Sequence, residues 1–569
     1  MRGVSVTIVL IGSAAALALG LAAGSQELAA PGRYRAAAAV EIVNVEVLVT
    51  DRTGNPVPGL TAADFEVFDE GVRQAITNFY SGQAAAAAEG AEAARAGAPG
   101  RADSRVGLLV LVDNSNLRPA SRDDILRHLR DVLEAGWPGP DVPVMLASGS
   151  STSVRVVQSF TNDPKQLLDG LAALQREAAT PGGAAMAGFM TQIMEHTSTV
   201  AHGASDGTED AMSSLQTLRG AAQQAYEQGR GYMQSLSQLF DSLAGLPGRK
   251  VVLFVSNGLQ TRPGEAMLQR WESVFGGRVD PGFSAVSEAS RYSLSTEFRT
   301  LLQRANASRL TVVGLEGGSG DGVGAAADRR MEQDTGIGTG ESLGLQQSLA
   351  TLAQATGGWV LSRGSALGDH IRTAFAEIRG AYSLGYANPK PGAGTYRSIK
   401  VRVKREGLVV RHREGYLDKT PDEEMAERSL GALLAGTPGN PLDVAVTLRG
   451  SRLEKGDLYI AEMLAIVPLG NVLLKPSGDL HEGQLSMWVA VQDAEGRISR
   501  MARQLFPVRV PNERLLSAQG QSMGCTFQLR LRQGAYRVAV AVRDDVGLID
   551  STAVGSIEVG PAAPAGAGT

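Results

Sequence analysis

Few residues in this chain are of types that do chemistry, and most of those sit in patterns that lack the surroundings the chemistry needs. Gly520-Gln521-Ser522-Met523-Gly524 spells the nucleophile-elbow pattern, in which a strand delivers the serine and a helix follows it. Here Ser522 runs into the strand-like stretch 525–531, so the pattern reads as a chance match. No Gly-x-Gly-x-x-Gly follows the first strand of the central sheet and no Walker loop occurs anywhere, so the usual phosphate cradle is missing. Cys525 is the single cysteine, which excludes an internal disulfide and a multi-thiolate zinc site. Six scattered histidines offer little to a histidine-based metal centre. What remains are two polar segments that directly follow apolar runs. Asp113-Asn114-Ser115-Asn116-Leu117-Arg118-Pro119 follows 106–112 (VGLLVLV), and Ser256-Asn257-Gly258 follows 251–255 (VVLFV).

The elements that must position these segments are legible from periodicity. Continuous apolar runs such as 106–112 suit strands covered on both faces of a central sheet. A helix starts near Ser121 with Asp124 as a capping box and carries Ile125, Leu129, Val132 and Leu133 on one face. Strands at 142–147 and 154–160 are joined by a loop too short for a parallel crossover, so they pair antiparallel. Runs at 251–255, 310–315 and 359–361 alternate with helical stretches such as 296–304 and 345–355. The fold class is therefore α/β: a doubly wound, mostly parallel sheet with helices on both faces and one antiparallel edge. Met212, Leu215, Leu218, Ala222, Tyr226, Met233, Leu236, Phe240 and Leu243 recur mostly every three or four positions, which predicts a helix of about 35 residues. Gly229 and Gly231 are where it would break, and the stripe is expected to pack on its own domain.

On either side of this domain, 105–380, the pattern is β. Val43, Val45, Val47 and Val49 alternate with polar residues, and two further short strands follow by residue 81. Three strands bury too little to stand alone, so the module 40–81 is expected to recruit the strands of 381–417. Residues 82–104, rich in Ala, Gly, Glu and Arg, read as a linker. Residues 420–440 read as a second, polar linker with a short helix at 423–434. The stretch 441–559 reads as a separate antiparallel β-sandwich.

With 569 residues and 43% apolar content, the chain can build three or four cores of roughly 150 residues each. A net charge of −5, from 54 basic and 59 acidic residues scattered along the chain, leaves no basic stripe, so a nucleic-acid partner is disfavoured. Arg2, the apolar run 4–23 and Gly24-Ser25-Gln26 have the layout of a signal peptide over 1–25, and export is the consequence. An uncleaved anchor is the alternative, since about 20 apolar residues also span a bilayer; only in that case is a membrane a partner.

Taken together, the strand ending in Asp113-Asn114-Ser115, the antiparallel pair after it and 251–258 (VVLFVSNG) resemble a von Willebrand factor A (VWFA) domain. The flanking segments Asp51-Arg52-Thr53-Gly54, Leu60-Thr61-Ala62-Ala63-Asp64-Phe65, Ala355-Thr356-Gly357-Gly358, Tyr382-Ser383-Leu384-Gly385-Tyr386 and Arg413-Glu414-Gly415-Tyr416 resemble those of VWFA-related domain proteins known from acidobacteria. The resemblance spans about residues 40 to 417. It implies a secreted binding module in which Mg²⁺ sits at the carboxyl end of the sheet. That ion is held by an Asp-x-Ser-x-Ser loop, a Thr and a later Asp, and coordinates a partner's carboxylate. Asp113 and Ser115 match the first two positions, Leu117 stands at the third, Asn257 stands where the later Asp would be, and Thr180 is assigned as the Thr. With a hydroxyl and a carboxylate missing, two readings stay open: a reduced Mg²⁺ site, or a metal-free loop in which Asp113 is held by backbone hydrogen bonds or by Arg118. The expected function is binding or adhesion to a protein or cell-envelope partner, without catalysis. An extracellular hydrolase using the C-terminal domain and an envelope scaffold are the alternatives.

Overall fold

The structure, a computed structural model, describes residues 7–9, 14–15, 42–81, 106–117, 119–139, 142–177, 208–246, 248–276, 280, 282–317, 337–361, 367–435, 439–494, 499 and 501–560. The alternating valines of β1 (Ile42–Thr50) all turn inward and are at most 3% exposed. β2 (Phe65–Asp69), β3 (Val72–Gln74) and β4 (Ile76–Ser81) follow.

The α/β domain comes next. β5 (Val106–Asp113) leads into α1 (Pro119–Glu134), and β6 (Val144–Ser150) turns back as β7 (Ser153–Thr161), followed by α2 (Pro164–Arg176). The long helix α3 (Thr208–Ala244) precedes β8 (Arg249–Val255), α4 (Glu265–Trp271) and α5 (Ser295–Ala307). β9 (Leu310–Leu315), α6 (Ile337–Ala355), β10 (Val360–Leu361) and α7 (Leu367–Arg379) complete it.

The sheet order is β10-β9-β8-β5-β6-β7, all parallel except the edge strand β7. β5 shows why its sequence is a continuous apolar run. Leu108, Val110 and Val112 pack against α1, α2 and α7 on one face, and Leu109 and Leu111 against α3, α5 and α6 on the other. α3 is one unbroken helix of 37 residues. Its two suspect glycines are points of close approach instead of breaks: Gly229 admits the Leu294 side chain and Gly231 lies against Thr152. Leu215, Leu218, Met233, Leu236 and Phe240 face its own domain and are buried.

The chain then returns to the first module. β11 (Tyr382–Ala387) inserts between β1 and β4, β12 (Tyr396–Val403) pairs with β2, and β13 (Val409–His412) and β14 (Gly415–Leu417) close the two four-stranded sheets. The two halves, separated by the whole α/β domain, meet at one buried carboxylate. Asp69 accepts hydrogen bonds from Tyr386 Oη at 3.0 Å, Tyr416 Oη at 2.9 Å and Arg397 Nε at 2.8 Å.

The segment read as a linker with a short helix at 423–434 is helical over α8 (Pro421–Ala435), which packs on the C-terminal domain. Thr420 and Glu423 form its capping box. Its small apolar face, Met425, Ala432 and Leu433, is buried against Trp488, Ala490, Ala539 and Ala541 of the C-terminal domain. That domain holds two antiparallel sheets around one buried core. β15 (Ala445–Lys455), β16 (Leu458–Pro468) and β19 (Ser522–Arg532) form one sheet; β17 (Leu480–Asp493), β18 (Ala502–Pro511), β20 (Gly534–Asp544) and β21 (Ile549–Val559) form the other. From the N-terminal segment, Thr7–Val9 and Ala14–Ala15 pair antiparallel with β19. No helix among the described residues is long and apolar enough to cross a membrane.

The helices of the α/β domain end at its base, toward the β module, and buried and half-buried cations meet their last carbonyls there. Arg249 donates to Ile378 O at 3.0 Å after α7, and Lys250 to Leu246 O at 2.9 Å after α3. Arg413 donates to Asn306 O at 3.2 Å and Lys419 to Ala307 O at 2.7 Å, both at the end of α5. A positive charge at a helix C-terminus offsets the partial negative charge of its unpaired carbonyls.

Candidate functional site

The order of the sheet locates the site. The chain winds outward in one direction from β5 to β6 and in the other from β5 to β8, so β5 and β8 flank the switch point. In open α/β sheets ligands bind at that point, beyond the carboxyl ends of the strands. Asp113 is the last residue of β5, and Ser256 and Asn257 follow the end of β8, so the two polar segments found in the sequence are brought together at this crest.

Asp113 is fully buried and saturated by the protein itself. Oδ1 accepts the backbone N–H of Ser115 at 3.0 Å and of Asn116 at 3.2 Å; Oδ2 accepts Asn116 Nδ2 at 2.9 Å and Ser256 Oγ at 2.7 Å. Burial pushes the carboxyl above its usual range, against the pull of these four bonds. Tyr232, on α3, brings a buried phenol next to the carboxylate, and burial and the Asp113 charge push that phenol well above its usual value. Gly149 makes room for it, since a side chain there would collide with the Tyr232 hydroxyl.

Around this carboxylate lie three buried oxygens with no hydrogen-bond partner among the described residues: Asn114 Oδ1, Ser115 Oγ and Tyr232 Oη. Beside them Asn114 Nδ2 donates to Ser148 Oγ at 2.9 Å and to Glu177 Oε2 at 3.2 Å, and Arg155 pairs with Glu177. Asn257 Oδ1 accepts the N–H of Gly317 at 3.0 Å. Thr180 and Arg118 lie outside the described residues.

These residues do not fit a divalent cation. A hard cation needs about six oxygen ligands, usually with more than one carboxylate. All four lone-pair directions of Asp113 are used by protein donors, Leu117 is 1% exposed in the core at the third loop position, and the Asn257 oxygen is engaged. No group of three His, Cys, Asp or Glu side chains that could hold a metal occurs among the described residues.

Next to Asn257 the crest opens into a groove of about 610 Å³, lined by Gln260, Thr261, Gln269, Phe298, Gln347 and Thr351 among others. Gly258 (φ 121°) makes the turn that shapes it, in contact with the Leu345 carbonyl, and Leu259 N donates to Ser348 Oγ at 2.7 Å. Its one ion pair of lining residues, Arg262 with Glu265 at 3.1 Å, is self-neutralising, so uncharged amides and hydroxyls set its chemistry.

Sequence reasoning placed Asn116 and Ser256 in the two polar segments without giving them a role, and it missed Tyr232 and Glu177. Ser522 is exposed at the first position of β19 and is followed by strand, so the helix that a nucleophile elbow needs is absent.

No family model and no curated protein matches the chain. Among solved structures it is similar to the N-terminal domain of TFIIH p34, at 12% identity over 48% of this chain and 98% of that one, with a TM-score of 0.19. It is also similar to the vWF domain of the type V pili tip protein Mfa5 from Porphyromonas gingivalis, at 12% identity over 48% of this chain and 94% of that one, with a TM-score of 0.21. The SpRpn10 VWA domain follows at 10% identity, 38% and 90% coverage and a TM-score of 0.16. Likeness at these scores carries no weight by itself. What the sheet order and its antiparallel edge define is a doubly wound α/β domain set into a split β module.

Proposed function

We propose that this is an exported, non-catalytic binding protein that takes a protein or cell-envelope partner at the crest of its α/β domain without a bridging metal. The observation that supports this reading is the pairing of a carboxylate already saturated by four protein donors with an adjacent groove of about 610 Å³ lined mainly by uncharged hydrogen-bonding side chains. A partner is then held by hydrogen bonds and shape, not by a carboxylate on Mg²⁺. Export rests on the signal-like segment 1–25.

Two experiments test the reading. Isothermal titration with Mg²⁺ and Mn²⁺ is expected to give no heat at about millimolar metal. Capture of a specific partner from envelope extract is expected to be insensitive to chelator and to be lost when Gln347→Arg fills the groove. Chelator-sensitive capture would overturn the metal-free mechanism, and capture indifferent to the groove variant would overturn the site.

A further inference from the structure

At the opposite end of the domain, where the base meets the β module, four arginines line one small cavity. Arg249 and Arg309 come from the α/β domain, Arg411 and Arg413 from the β module, and Glu46 is the one carboxylate among the lining residues. The cavity measures about 30 Å³, room for about two waters or one small ion. Arg249 and Arg413 are buried, Arg411 is half-buried and Arg309 is exposed at the rim, so two guanidinium charges out of water meet one carboxylate, an imbalance that proteins seldom leave uncompensated.

Helix capping accounts for part of it. The Nη groups of Arg249 donate to Ile378 O and Ala381 O, and those of Arg413 to Asn306 O and Asn44 O. Carbonyls accept these hydrogen bonds but bring no full negative charge. Beyond that account lie three observations. Arg413 is 5% exposed and its Nε–H has no partner among the described residues. Arg411 lies over the Trp359 ring at 5.2 Å, and neither it nor Arg309 forms a salt bridge among the described residues. Arg309 is held at φ 54°, a conformation disfavoured for a long side chain, in the short turn between α5 and β9.

We propose that this cavity binds a small oxyanion of the phosphate or sulfate class, clamped between the arginines of the α/β domain and those of the β module. The planar forks of guanidinium groups match such oxygens in pairs, which an ammonium or a halide does not exploit. Because each module supplies two of the four arginines, the bound anion stiffens the seam between them.

The test is thermal unfolding of the full chain in inorganic phosphate or sulfate, with sodium chloride adjusted to constant ionic strength. The expected result is a saturable rise in Tm of about 2–4 °C at millimolar anion. Arg309→Gln and Arg411→Gln, both folded by circular dichroism, are each expected to raise the half-saturating concentration about tenfold. Arg127→Gln on the surface of α1 leaves it unchanged. A shift equally produced by chloride, no saturable shift, or a shift untouched by both variants overturns the proposal.

Discussion

The crest and the base of the α/β domain are built from the same helices and treat their polar groups in opposite ways. At the base, Arg249, Lys250 and Arg413 are buried and Lys419 is half-buried, and each donates to a carbonyl at or just past a helix end. At the crest, a single buried carboxylate is wrapped by its own loop, and three oxygens beside it are left without partners. The difference teaches where each end is committed. Cations at helix C-termini complement the helix ends and join the fold to the β module, and the carbonyl bonds offset the cost of burying each charge to a different degree. Oxygens without a partner among the described residues cost stability at a topological switch point, and under the proposed function they are left open to the partner.

The sharpest way to break the comparison is to remove a base cation. Arg413→Met strips the carbonyls of Asn306 and Asn44 of a buried charged donor, and unfolding free energy in urea is expected to fall by about 4 kcal/mol. A loss below about 1 kcal/mol would show that the base is not held this way.

Asp113→Ala at the crest comes second. It removes the acceptor of the Asn116 amide and of two backbone N–H groups, and takes one of the partners of the fully buried Ser256 Oγ, which keeps Gly258. The expected loss is about 3 kcal/mol, equal in Mg²⁺ and in chelator. A larger loss in Mg²⁺ would mean that the wild-type site draws stability from the ion.

Lys250 turns the comparison into a pH dependence. It is 4% exposed, and burial, helped by Arg309 and Lys419, lowers its pKa to about 7. The unfolded amine titrates near 10.4, so between roughly pH 7 and 10 the unfolded chain binds more protons and stability rises with pH. Below pH 7 both states are protonated and the cost of burying the charge is felt in full. Lys250→Met is therefore expected to be more stable than the wild type by about 2 kcal/mol at pH 6, with the gain shrinking or reversing by pH 9.5. A difference that is flat with pH contradicts this.

Much of this contrast could be read from the sequence at the crest and little at the base. The runs ending at Val112 and Val255 are apolar on both faces because both faces are covered, so the polar residues after them stand out. The three-residue spacing from Asp113 to Asn116 is that of a loop closing on its own carboxylate. Tyr232 gave no such sign, because its stripe on α3 looks like core and only the packing over Gly149 turns its hydroxyl to Asp113. Base cations in a sequence resemble solvated charge, and Arg413 becomes a helix cap only once β11 has paired with β1 across the inserted domain. For a related reason the sequence shows a short helix at 423–434 but not its docking: Ala432 and Leu433 fit against Ala490 and Ala539, a match that composition does not reveal.

The smallest effect is the most discriminating, because one substitution is expected to change sign between two tyrosines. Tyr382 in the β module donates to Val57 O at 2.7 Å and accepts from Leu60 N at 3.2 Å; Tyr232 at the crest is as deeply buried and its hydroxyl has no partner among the described residues. Removing a paired hydroxyl leaves two backbone groups unsatisfied, so Tyr382→Phe is expected to lose about 1 kcal/mol. Removing an unpaired one relieves a desolvation cost, so Tyr232→Phe is expected to gain up to about 1 kcal/mol. Paired urea melts of the two variants read the difference directly. If both lose stability alike, Tyr232 has a partner in solution, and the crest is as fully committed to the fold as the base.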